Sequence, residues 1–96
     1  MLEVRVHPRI CENHPELSQS DVLEAWENIL HSKTRLDEEP YKCIAVGMDN
    51  TGRLLEMVAV RSRDGSLFIF HAMTPPSKKT LKELELSGGR RETWGS

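Results

Sequence analysis

The chain has 96 residues, of which 38% are apolar and 29% charged, enough for one modest core and one domain. It has no apolar run near the roughly 20 residues that span a bilayer, no basic-then-apolar leader at its start, and only two cysteines, Cys11 and Cys43, without CxxC spacing; a membrane protein, a secreted disulfide scaffold and a multidomain enzyme are thereby excluded, and a cytoplasmic location is expected. Net charge is −2, but residues 1–40 carry four basic and nine acidic groups and residues 41–96 nine basic and six acidic, so a uniformly basic nucleic-acid binder is excluded while a local positive field on a phosphate is not.

Leu2, Val4 and Val6 alternate with Glu3 and Arg5, the period of a short strand. His7-Pro8 then opens a short helix to about Asn13, closed by Pro15. Ser18 and Asp21 are spaced as a capping box, and Leu17 and Val22 as a hydrophobic staple. Val22, Trp26, Ile29 and Leu30 follow the stripe of one helical face, which predicts a helix from 19 to about 31. Residues 32–40 are polar, end in proline and read as a loop.

Three strands follow, over 41–48, 53–61 and 66–73, separated by turn chemistry at Asp49-Asn50-Thr51-Gly52 and Asp64-Gly65. Together they read as an antiparallel meander. Pro75-Pro76 stops the sheet, Ser77 caps a closing helix through Leu86, and Gly88-Gly89 leads into a tail that contains Trp94 beside Arg90 and Arg91. The expected architecture is α+β: N-terminal helices, a β-meander and a short C-terminal helix in one domain over 1–86, with a flexible tail over 87–96.

Strict alternation puts Leu54, Glu56, Val58 and Val60 on one face of the second strand, and Arg53, Leu55, Met57, Ala59 and Arg61 on the other. On the third strand it puts Phe68, Phe70 and Ala72 opposite Leu67, Ile69, His71 and Met73. Both faces are largely apolar and need cover. The helices supply one cover; the other falls to a partner protein or to a terminal helix.

His71 stands near the end of the last strand, followed by Thr74 and, across the proline stop, Lys78 and Lys79. With Arg53 or Arg61 from the neighbouring strand, these residues suit RNA cleavage: a base takes the 2′-OH proton, cations stabilise the charged phosphorane, and an acid protonates the leaving oxygen. The alternative is a half-buried sheet histidine beside ordinary surface lysines. His7, Cys11 and His14 recur at i, i+4 and i+7, a zinc-compatible side of a helix, weighed against capping and packing. No metal or cofactor is expected.

The stretches NHPELSQSDVLEAWEN and IAVGMDNTGRLLEMVAVRSRDGSLFIFHAMTPPSKKTLKEL resemble the BrnT-type toxins of bacterial toxin–antitoxin pairs over about residues 9–86. Gly52-Arg53-Leu54-Leu55 and Ala72-x-Thr74 carry the closest likeness. The resemblance implies a RelE-like ribonuclease fold, RNA as substrate, growth arrest, and neutralisation by a cognate DNA-binding antitoxin through which oligomers form. It places His14 at the family's first-helix histidine and Arg53 at the arginine of the GRLL string, with Arg61 at or beside the arginine that ends the same strand. Thr74 matches, and Lys78 and Lys79 fall on a Glu-Arg pair. His71 stands in place of a serine and Met73 in place of an arginine. A non-catalytic protein-binding module on the same scaffold is the alternative function.

Overall fold

A computed structural model describes residues 3–37 and 41–88. In chain order it contains β1 (Val4–Val6), α1 (Arg9–Asn13), α2 (Gln19–Glu27), β2 (Ile29–Arg35), β3 (Lys42–Met48), β4 (Leu54–Arg61), β5 (Leu67–Met73) and α3 (Lys78–Gly88). The strands form one five-stranded sheet in the order β1-β5-β4-β3-β2. β1 runs parallel to β5 and every other pair is antiparallel. The architecture is thus α+β with a mixed sheet. α3 runs to Gly88, two residues into the expected tail; Leu2 of the expected first strand, residues 38–40 of the expected loop and residues 89–96 of the tail lie outside the described residues.

The capping box at the start of α2 is present in full. The Asp21 N–H donates to Ser18 Oγ (3.1 Å), and the Ser18 N–H donates to Asp21 Oδ2 (3.0 Å). The helix does not continue to residue 31, however. Asn28 ends it: its side-chain amide donates to the Glu24 carbonyl at 2.9 Å, and its backbone leaves the helical region. Ile29 and Leu30 belong to β2, which pairs with β3 along residues expected to be a loop. The polar sequence of β2 follows from its edge position: only its end residues Ile29 and Arg35 are partly buried, so no apolar alternation is needed.

The core lies on both faces of the sheet. On one face Ala45, Leu55, Met57, Ala59, Ile69 and Ala72 pack against Ile10, Leu17, Val22 and Ala25 of the α1–α2 region. On the other, Ile44, Val46 and Val58 pack against Leu84 of α3. α3 therefore supplies the second cover over β3 and its surroundings. Glu83 fastens it to β2, accepting from Arg35 Nε at 3.1 Å and Nη2 at 2.9 Å. The pair is bidentate and partly shielded, a stronger geometry than an open surface ion pair.

Strict alternation fails at two places, at Leu30 of β2, where Ile29 pairs with Gly47 and His31 with Val46, and in β5. Ile69 pairs with Ala59 and His71 with Val58, so Phe70 is an extra residue without a partner on β4. Beyond this bulge the faces exchange. Ala72 shares the α1–α2 face with Ile69, whereas His71 turns to the face of Glu56, contrary to the face expected for it.

α2 sits close enough to β3 that only glycine fits at position 47: a Cβ there would overlap the Ala25 carbonyl. Because that obstacle is backbone, a rotamer change cannot relieve it. Gly47→Ala is expected to destabilise the fold by about 3 kcal/mol, at the upper end of overpacking costs, read as a lower urea midpoint. An unchanged midpoint would contradict this packing.

Candidate active site

β4 is a central strand, and Glu56 is a carboxylate on it that is only 6% exposed. A charge in that position requires partners, and three groups supply them. His71 Nε2 lies 2.8 Å from Glu56 Oε2. The Ser77 N–H and Oγ–H donate to Glu56 Oε1 at 2.9 and 2.8 Å. The Ser77 hydroxyl oxygen in turn accepts from the Thr80 N–H at 3.2 Å, which caps α3. Glu56 thus does for α3 what the third-position acid does in a capping box, but from a different element, and it places negative charge at a helix N-terminus. Burial pushes its carboxyl pKa up, yet the Ser77 N–H, His71 and the Ser77 and Thr80 side chains outweigh burial and hold it below the ordinary carboxylate value.

An ionised Glu56 only accepts hydrogen bonds, so His71 donates to it through Nε2–H and Nδ1 is left as the basic nitrogen. The imidazole is partly open to solvent, with 38% of its side chain exposed. A buried carboxylate therefore orients an accessible imidazole, the arrangement that general-base chemistry needs.

His71 also lines a cleft of about 110 Å³ between β5 and α1. Phe70 shares its wall of the cleft, and His7, Arg9, Asn13 and His14 form the facing side. No carboxylate lines the cleft among the described residues. The volume is well below the roughly 300–1,000 Å³ of pockets that enclose small molecules. It fits part of a larger ligand lying across the surface.

The other sequence-derived candidates divide by position. Lys78 and Lys79 are exposed on the first turn of α3, directly after Ser77, at the same end of the sheet as the Glu56–His71 pair. Thr74 Oγ1 donates to the Leu54 carbonyl at 2.7 Å, which joins the end of β5 to the start of β4. Arg53 is engaged on the α2 side. Its Nε donates to Asp49 Oδ2 (2.9 Å), its Nη2 to Asp21 Oδ2 (3.0 Å) and its Nη1 to the Glu16 carbonyl (3.0 Å), tying the β3–β4 turn to the start of α2. Arg61 donates to the Gly65 carbonyl at 3.2 Å in the far hairpin, five positions along β4 from Glu56, or roughly 16 Å. The structure therefore gathers His71, Thr74, Lys78 and Lys79 at one end of the sheet, holds Arg53 at that end but on the α2 face, and leaves Arg61 at the far end.

His7, Cys11 and His14 do not share a helical side. α1 stops at Asn13, and His14 adopts a non-helical backbone. His7 Nδ1 accepts the Arg9 N–H at 3.0 Å. Among the described residues no group of three or more His, Cys, Asp or Glu side chains is arranged to hold a metal.

Glu56 is the functional candidate that residue-by-residue reading passed over. A lone carboxylate on the apolar face of a central strand was its signal. Phe70 and Arg9 carried none, because their place in the cleft depends on the bulge and on how β1 delivers α1 to the edge of β5. Comparison with family models, with curated proteins and with solved structures finds no match to the chain.

The carboxylate network on the other face sets an acid limit. Asp49 is buried, which would raise its carboxyl, but Thr51 and Arg53 bind the charged form and bring it from the ordinary 3.8 down to about 2. Since the unfolded chain then takes up the proton first, this stabilisation is complete above about 3.8 and is lost as pH falls toward 2. Melting temperature is expected to drop steeply across that window. Asp49→Asn should lower stability at pH 7 by about 2 kcal/mol, the scale of unpaired buried donors, and flatten the acid slope. An equally steep slope in the variant would contradict this assignment.

Proposed function

We propose that the chain is a ribonuclease toxin of the BrnT and RelE type, with His71 as general base. The observation that carries this reading is the accessible imidazole held by a buried carboxylate beside a cleft with no acidic lining. Chain order agrees with it: two helices precede the meander and one helix closes it. His14, the residue that the resemblance aligns with the family's first-helix histidine, lines the same cleft as His71.

In this reading RNA lies across the cleft. His71 Nδ1 takes the 2′-OH proton, the 2′-oxygen bonds to phosphorus, and the P–O5′ bond breaks. His14 returns a proton to the departing 5′-oxygen, leaving a 2′,3′-cyclic phosphate. Lys78 and Lys79 stabilise the charge on the phosphorane from the first turn of α3. Glu56 positions the imidazole. A cognate antitoxin would silence the enzyme, and no metal or cofactor takes part.

The second reading is a protein-binding module. It is favoured by the exposed apolar side chains Met48, Leu54, Phe70 and Leu81, and by the fact that the Glu56 network already serves to anchor α3.

Induction in a bacterial host decides between them. The ribonuclease reading predicts growth arrest, and RNA ending in 2′,3′-cyclic phosphate when the purified protein is supplied with RNA. His71→Ala should lower cleavage by about 10²–10⁴-fold, the range for a lost general base. Neutralising both Lys78 and Lys79 should lower it by about tenfold or more. A harmless protein that leaves RNA intact, or a His71→Ala variant as active as the parent, would overturn the assignment.

A further inference from the structure

Two residues that line the cleft, Phe70 and Arg9, are not used by the cleavage step. Phe70 is the extra residue of the β5 bulge, and 37% of it is exposed at the cleft. Large aromatics are ordinarily drawn into a core, and this chain has only two phenylalanines. The other, Phe68, is partly buried and packs against the His7 ring at a centroid distance of 5.5 Å. Across the cleft, the Arg9 backbone is pinned by His7 Nδ1 at 3.0 Å. Its side chain is exposed and makes no ion pair among the described residues. A π-face and a guanidinium without an ion pair, lining one cleft that has no carboxylate in its walls among the described residues, match the two parts of a nucleotide: the base and the phosphate beside it.

We infer that Phe70 and Arg9 form a subsite for one unpaired nucleotide next to the cleaved bond, with the base stacked on the Phe70 ring and its phosphate facing Arg9. This rests on the reading of the cleft as an RNA site and adds a strand preference to it. A base within a duplex is already stacked on its neighbours and cannot lie on Phe70 without being unpaired. The subsite therefore selects single strands through stacking, while the guanidinium attracts any phosphate chain regardless of pairing.

The test uses fluorescein-labelled 2′-O-methyl RNA, which lacks the attacking hydroxyl and stays intact. It is supplied as an unstructured ten-residue strand and as the same strand annealed to its complement, and binding is followed by fluorescence anisotropy. The parent protein is expected to prefer the single strand by fivefold or more. Phe70→Ala and Phe70→Leu should each weaken single-strand binding by about tenfold, within the range of one stacked base, and leave duplex binding within twofold. Phe70→Trp should preserve the preference. Arg9→Gln should weaken both forms alike and reduce their salt dependence.

Cleavage of ordinary RNA by the same preparations separates this inference from the reading beneath it. Single-strand binding that depends on Phe70, without cleavage, keeps the subsite and removes the ribonuclease. Cleavage with Phe70→Ala binding like the parent keeps the ribonuclease and removes the subsite. Absence of RNA binding overturns both.

Discussion

Residue 70 has no partner across β4, and that single unpaired position turns His71 from the Ile69 side of the sheet to the Glu56 side. Side chains alternate along a strand with period two, so one inserted residue exchanges the face of everything beyond it. Without the bulge, the imidazole would point into the apolar layer under α1 and α2 and lose its carboxylate. With it, Ile69 and Ala72 both stay in that layer, while His71 reaches a buried acid and Phe70 is left at the cleft.

The acid has two tasks that reinforce each other. Glu56 holds the imidazole in one tautomer and satisfies the first turn of α3 through Ser77. Each partner helps repay the desolvation of a carboxylate in a central strand. The start of α3, and with it Lys78 and Lys79, is thereby placed at the same end of the sheet as the imidazole. Arg53 belongs to a second network on the opposite face, where Asp49, Asp21 and the Glu16 carbonyl absorb its donors. The two faces have separate polar centres, one that organises a cleft and one that holds the β3–β4 turn against α2.

Much of the fold was legible because its signals are local. Ser18 and Asp21 announced the start of α2, the Asp49–Gly52 and Asp64-Gly65 turns set the meander, and Pro75-Pro76 followed by Ser77 marked the passage to α3. What was not legible depends on contacts remote in sequence. β2 has almost no apolar face of its own; its Arg35 acquires meaning only when Glu83 of α3 lies against it. Asn28 ends α2 inside a continuing apolar stripe, so periodicity overran the true boundary. The bulge at Phe70 leaves no mark in composition. For the site, His71 and the two lysines stood out by spacing, whereas Glu56 was hidden by being an isolated exception in an apolar strand, and Arg53 looked free because two of its three acceptors, Asp21 and the Glu16 carbonyl, are remote in sequence.

The 2.8 Å contact between Glu56 Oε2 and His71 Nε2 requires the Nε2–H tautomer when the carboxylate is ionised, and the nitrogen-15 shifts of the His71 ring at neutral to mildly alkaline pH read that tautomer. A protonated Nε2 and an unprotonated Nδ1 are expected, with that preference lost in Glu56→Leu. A ring protonated at Nδ1 in the parent protein, or tautomers unaffected by removing the carboxylate, would contradict this assignment.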